Sequence, residues 1–229
     1  MANEKGLRKI AQAMIKNIDM ITATNECNKE LMKRYKDNHF DLAIVDPPYG
    51  IDSANMNMGI GKTPKASKAK NRKWVAKDWD SNAPDKIYFD ELFRVSKNQI
   101  IFGGNYFDLP PCSKFVIWDK EIPKGLSFSD CEFAWTSFSG ANNIFRYSAY
   151  RNKSEKFHPT QKPPKLYEYC LMNFANAGDK ILDTHLGSGS IALACHNLGY
   201  DLTACEIDSE YFAKYEKRLK EYQAQLTMF

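Results

Sequence analysis

The short apolar run Leu42-Ala43-Ile44-Val45 stops abruptly at Asp46-Pro47-Pro48-Tyr49-Gly50. A run of that length, halted by paired prolines, reads as a buried strand ending in a rigid turn, because proline fixes φ and cannot donate to a ladder. Asp46 precedes a proline and is held extended, while Pro47 has a carbonyl but no N–H. A carboxylate and a carbonyl can therefore face one amine without a competing donor. Tyr49 adds a flat ring suited to stacking on a base drawn out of a helix. The plain alternative is a proline turn capped by Asp46 with Tyr49 packed away.

The flanking pattern is that of an α/β protein. Residues 18–22 read as a strand, Asn25 as the N-cap of a helix through Leu31, Met32 and Tyr35, and Phe40–Val45 as the next strand. That β-α-β unit puts the Asp46 turn at the carboxyl end of a strand, where open parallel sheets hold their ligands. Lys86–Val95 reads as a helix, and 99–102 as a strand stopped by Gly103-Gly104, a pair that lets backbone approach a ligand or a neighbouring element. The aromatic, alternating stretches 114–118 and 131–138 read as further strands. Within them Asp119 and Glu132 are open between buried ion partners and solvent-facing groups. A helix from Lys165 closed by Gly178-Asp179, the strand Lys180–Asp183, a helix through Leu198, a strand ending at Glu206 and a packing helix over 209–225 follow. A modest amphipathic helix is expected over 6–17.

A chain of 229 residues suits one domain, 1–229, with a single well-buried core. No apolar stretch reaches membrane-spanning length and Met1-Ala2-Asn3-Glu4-Lys5 is polar, so a soluble, cytoplasmic protein is expected, with no membrane partner. Six scattered cysteines lack a C-x-x-C pair and read as reduced thiols; four histidines share no ligand spacing, so no metal is expected. The net charge of +4 says little, but its distribution says more. Lys62, Lys65, Lys68, Lys70, Arg72 and Lys73 form an acid-free run with no apolar face, expected to lie in a mobile loop, 51–83, that orders on a polyanion. Alone it would be a solvated loop; beside a base-binding turn it reads as a grip on DNA. Trp74 and Trp79 are open between packing and base stacking. Gly59-Ile60-Gly61-Lys62-Thr63 imitates a phosphate-binding loop, but Met56 stands where the first glycine belongs, which excludes a nucleoside triphosphatase. The polar stretch 139–157 carries Asn142, Asn143, Arg146, Arg151 and Asn152, types that read base edges, and is a possible target-recognition loop.

In the second half, Asp183-Thr184-His185-Leu186-Gly187-Ser188-Gly189-Ser190 links a strand to a helix through a glycine loop, which admits a nucleoside cofactor to main-chain N–H groups. Glu206, about 20 positions further on at the next strand's tip, is placed to accept ribose hydroxyls. The three-glycine dinucleotide pattern is incomplete, which disfavours an oxidoreductase. His185 is open between a catalytic base and a structural residue.

Asp46-Pro47-Pro48-Tyr49 resembles the catalytic signature of the S-adenosylmethionine-dependent amino methyltransferases of nucleic acids. His158-Pro159-Thr160-Gln161-Lys162-Pro163 is similar to that family's H-P-T-x-K-P segment, which borders the methionine end of the cofactor, and makes Thr160 and Lys162 candidates to approach its carboxylate. The glycine loop resembles D-P-F-x-G-S-G-[TS], keeping Asp183, Gly187, Ser188, Gly189 and Ser190 but with Thr184 and His185 in place of proline and phenylalanine. A catalytic turn that precedes the cofactor loop resembles the permuted beta class, and the matches span 40–208.

The resemblance implies a Rossmann-like methyltransferase fold, a mostly parallel, doubly wound sheet with helices on both faces. It implies S-adenosylmethionine held by Asp183, Gly187, Ser188, Gly189, Glu206, Thr160 and Lys162, with Asp46, Pro47, Pro48 and Tyr49 as the catalytic turn. The implied substrate is duplex DNA with a flipped base. Adenine is favoured, since cytosine members more often begin the motif with serine; RNA, a homodimer and an inactive nucleic-acid-binding module stay open. No cysteine nucleophile is required, and none lies near a suitable proline motif, which argues against methylation at ring carbon 5.

Overall fold

The computed structural model describes residues 20–51, 80–122, 129–149, 151 and 156–226. In chain order these form β1 (Ile21–Thr24), α1 (Asn28–Lys33), β2 (Phe40–Val45), α2 (Lys86–Val95), β3 (Ser96–Phe102), β4 (Phe115–Asp119), β5 (Cys131–Thr136), β6 (Asn143–Arg146), α3 (Pro164–Phe174), β7 (Lys180–Asp183), α4 (Ser190–Leu198), β8 (Asp201–Cys205) and α5 (Ser209–Leu226), with a 3-10 turn at Gly104–Tyr106. The helix expected over 6–17, the basic run from Lys62 to Lys73, and Trp74, Trp79 and Asn152 lie outside the described residues.

One sheet runs in the order β1-β8-β7-β2-β3-β5-β4-β6. Its neighbours from β1 through β3 are parallel, β5 is antiparallel to both β3 and β4, and β4 pairs parallel with β6, so a single strand is reversed. Side chains alternate between two cores. Leu42, Ile44, Ile100, Phe102, Ile181 and Leu202 meet α3, α4 and Tyr215 of α5 on one face. Ala43, Val45, Ile101, Leu182 and Cys205 meet Leu31 and Met32 of α1 and Tyr88, Leu92 and Val95 of α2 on the other. Burying each such aliphatic contributes roughly 1.5–3 kcal/mol, which is what fixes both helix layers. The α/β, doubly wound architecture is therefore as expected.

α2 illustrates the local logic. Asp85 caps it by accepting from Tyr88 N at 3.0 Å, and Tyr88, Phe89, Leu92 and Val95 place its apolar stripe against β3. Several details differ from expectation: β1 runs to Thr24 rather than ending at 22, α1 ends at Lys33 before Tyr35, β3 starts at Ser96 rather than 99, and four more have a visible cause or consequence. The N-cap of α1 is Cys27, not Asn25, whose Nδ2 instead donates to the carbonyl of Glu206 at 2.6 Å and ties the end of β1 to the tip of β8. α3 ends at Phe174, short of Gly178-Asp179, because Asp179 accepts from Asn176 N at 2.8 Å and closes a turn of its own. β5 ends at Thr136, two residues before the expected 138. β6 lies within the stretch read as a polar loop over 139–157; it is an edge strand, three of its four residues exposed, so it lacks the apolar alternation of a covered strand. No helix among the described residues is long and apolar enough to cross a membrane.

The chain leaves β2 through α2 toward β3 and leaves β7 through α4 toward β8, in opposite directions from adjacent strands. The paired register of β2 with β7 covers Leu42↔Ile181 and Ala43↔Leu182. Beyond it the tips carry Asp46 and Asp183 at the switch point, where a cleft forms in open α/β sheets.

Candidate active site

Asp46 is the first residue beyond β2. Its Oδ1 accepts from Tyr49 OH at 2.8 Å and its Oδ2 from Lys162 Nζ at 2.5 Å, and the same ammonium lies 3.2 Å from Tyr49 OH. The turn's own N–H groups point elsewhere: Tyr49 N and Gly50 N donate to Oδ1 of the buried Asp80 at 2.6 and 3.1 Å. One carboxylate thus satisfies the donors of the turn and leaves its acceptors for the cleft. The Tyr49 ring stacks on Tyr106 at 4.9 Å and 13° and meets the edge of Phe107. Gly103, at φ +68°, also stands against the ring, and an added Cβ there would lie 2.2 Å from it. The glycine pair after β3 therefore serves the approach of a neighbouring element.

Lys162 is buried between two carboxylates, Asp46 and, at 3.3 Å, Glu132 of β5; Glu132 also accepts from Lys120 at 3.2 Å. Burial raises the Asp46 carboxyl above its ordinary range, and Lys162 offsets this only in part. Burial also acts upward on Glu132, but the Lys162 and Lys120 ammoniums outweigh it and hold that carboxyl below its usual value. Burial disfavours the Lys162 ammonium, yet the two carboxylates raise its pKa, so it stays charged. Two cations and two anions thus share one partly desolvated pocket.

The second half of the cleft is built from β7, β8 and the loop between β7 and α4. Burial pushes the Asp183 carboxyl up to about 8, against the hydrogen bond it accepts from His185 N at 2.9 Å. Glu206, the residue after β8, accepts from Gly187 N at 2.7 Å and Asp208 N at 2.8 Å, and burial raises its pKa. Gly189 has φ +71°, and a Cβ there would lie 2.1 Å from the Tyr215 ring of α5. Ser190 Oγ donates to the Lys162 carbonyl at 2.7 Å, and Arg218 NH1 donates to the Ser188 carbonyl at 2.8 Å. The glycine loop, the 158–163 segment and α5 are thereby fastened together. Thr160, in that segment, bonds His158 Nδ1 at 3.2 Å.

Thr184 and His185 are accounted for by a polar chain. Tyr88 OH lies 2.7 Å from Thr184 Oγ1, which lies 3.0 Å from His185 Nδ1, while His185 Nε2 faces Asn28 Nδ2 at 3.0 Å. With the Asn28 amide nitrogen as donor, Nε2 accepts, which matches a neutral ring with its proton on Nδ1. Burial lowers its pKa to about 3.

The donor set fits a nucleoside bearing a charged amino-acid tail. Buried carboxylates at Asp183 and Glu206 suit an ammonium or paired hydroxyls, and glycines bring main chain to the cleft. Of the residues singled out in the sequence, Asp46, Tyr49 and Lys162 are in direct contact; Asp183, Gly187, Ser188, Gly189 and Glu206 line the adjoining strand tips. Lys120, Asp80, Tyr106 and Asn28 are additions, and Glu132, left open in the sequence, is the ion partner of Lys162 and Lys120. Glu132 alone carried a signal, since it shares a face with Ala134 and Thr136, both wholly buried, and a charge in such a register needs a partner. Among the described residues no group of three or more His, Cys, Asp or Glu is placed to hold a metal ion.

A family model described as DNA methylase, of the N6/N4 kind, matches residues 62–217, more than half of the chain. The type II methyltransferase M.HpaI of Haemophilus parainfluenzae is 24% identical over 228 residues, 82% of this chain and 70% of that protein. M2.DpnII of Streptococcus pneumoniae is 23% identical, covering 83% and 86%. Among solved structures, an M1.HpyAVI–SAM complex superposes with a TM-score of 0.58 at 20% identity, covering 87% of this chain and 99% of that one. The cytosine-N4-specific PvuII DNA methyltransferase gives 0.54 at 13% identity, covering 90% and 94%. The two superpositions bear on fold alone.

Proposed function

The chain belongs to the N6/N4 family of DNA methylases, and from that premise we propose that it methylates the exocyclic N6 of adenine in duplex DNA, on a base turned out of the stack. Its similarity to type II methyltransferases supports a role in restriction–modification. S-adenosylmethionine supplies the electrophile, a methyl group on a sulfonium. The observation that carries the reading is the convergence of Asp46, Tyr49 and Lys162 at the tip of β2, one strand from Asp183 and the glycine loop.

The exocyclic amine is a weak nucleophile because its lone pair is delocalised into the ring. Asp46 and the Pro47 carbonyl accept its two hydrogens, which favours a pyramidal nitrogen and directs the lone pair toward the methyl group. On receiving the methyl group that the bound cofactor would supply, the amine would shed one proton. Asp46, with a carboxyl pKa raised by burial, is the acceptor placed to take it. Pro48 stiffens the turn, and Tyr49 holds the flipped ring by stacking, worth roughly 1–3 kcal/mol. Asp183 and Glu206, with Gly187, Ser188 and Gly189, would hold the amino-acid and ribose ends of the cofactor, and Thr160 and Lys162 would border its methionine end, the Lys162 ammonium itself being taken up by Asp46 and Glu132. Lys62, Lys65, Lys68, Lys70, Arg72 and Lys73 supply phosphate contacts.

An aspartate at the head of the motif favours adenine over cytosine. Digestion of duplex DNA after incubation with enzyme and labelled cofactor is expected to yield N6-methyl-2′-deoxyadenosine; label on N4 of deoxycytidine, or none in DNA, contradicts the assignment.

A further inference from the structure

We propose that Glu132 is the second seat of the Lys162 ammonium, onto which Lys162 withdraws from Asp46 when the target amino group is engaged. This rests on the reading of Asp46 as the acceptor of that amine. Both oxygens of Asp46 already have a donor, Tyr49 OH on Oδ1 and Lys162 Nζ on Oδ2. The reacting nitrogen becomes positive as its bond to carbon forms, and an ammonium fixed on the same carboxylate would oppose that charge. Lys162 has somewhere else to go. Glu132 Oε2 stands 3.3 Å from the same nitrogen, on the strand beyond β3.

The surroundings confine the movement to the end of the side chain. The Lys162 carbonyl is held by Ser190 Oγ at 2.7 Å, and its ammonium lies 5.0 Å from the Phe102 ring centre and 5.6 Å from that of Tyr49. Lys120 pins Glu132 from the far side at 3.2 Å, so the carboxylate stays while the ammonium moves. Glu132 touches no reacting atom in this scheme; it is a positioning residue acting through Lys162.

The test uses the full chain. In Glu132→Gln the ammonium has one charged seat, so kcat is expected to fall roughly tenfold to hundredfold, with KM for S-adenosylmethionine unchanged and Glu132→Asp restoring part of the loss. In a Lys162→Met background, Glu132→Gln should add nothing. A readout independent of turnover is the structure of Asp46→Asn, in which Lys162 Nζ should close on Glu132 to about 2.8 Å. Full kcat in Glu132→Gln, an additive loss in the Lys162→Met background, or a Lys162 that ignores Glu132 in Asp46→Asn overturns the two-seat scheme while leaving the role of Asp46 intact. Undiminished transfer by Asp46→Asn overturns that role, and the scheme with it.

Discussion

Gly103 is the position where one atom decides most. A Cβ there would lie 2.2 Å from the Tyr49 ring, and the residue holds φ +68°, so Gly103→Ala must displace the ring and strain the backbone. The variant should lose at least tenfold in methyl transfer while cofactor affinity, measured calorimetrically, stays within twofold. Asp183 gives a test by pH. Its folded pKa of about 8 exceeds the ordinary 3.8, so the folded state resists an ionisation that the unfolded chain accepts freely. Stability of the cofactor-free protein therefore falls as pH rises between those values, and Asp183→Asn should gain on the parent across that window in urea melts. His185 has the opposite sign. Its folded pKa of about 3 lies below 6.5, so its contribution is lost as pH falls from 6.5 toward 3. His185→Phe should flatten that acid limb.

At the scale of elements, the helices are fixed by caps and stripes that can be removed singly. Asp85→Ala deletes the cap of α2 and should cost about 1 kcal/mol; Leu182→Ala opens a void in the β7 core and should cost about 2–5 kcal/mol, both read by denaturant unfolding. These elements were also the ones most legible in the chain. β2, α2 and β7 have the bounds their apolar patterns suggest, because covered strands and amphipathic helices write their burial into local spacing. β6 escaped because an exposed edge strand has no such spacing, and the end of α3 was misplaced because the Asn176–Asp179 turn is closed by a side chain. The Asp46–Lys162–Glu132–Lys120 cluster was illegible as a cluster for another reason: its members come from four separated stretches, and only the folded sheet, with β5 beside β3, brings Glu132 and Asp46 to the same ammonium. Thr184 and His185 looked like departures from a motif until Tyr88 and Asn28, from two other helices, appeared beside them.

For the whole molecule, the arrangement depends on adjacent strands feeding their chains in opposite directions. That reversal puts a carboxylate-bearing turn and a glycine loop side by side, so an amine and a methyl donor can be held in line by rigid strand ends. The most direct test is the single-turnover rate of methyl transfer to adenine-containing duplex DNA by Asp46→Asn against the parent, both saturated with S-adenosylmethionine. A fall of at least a hundredfold, on the order of 3 kcal/mol, is expected, with cofactor affinity retained. A rate within twofold of the parent would contradict it.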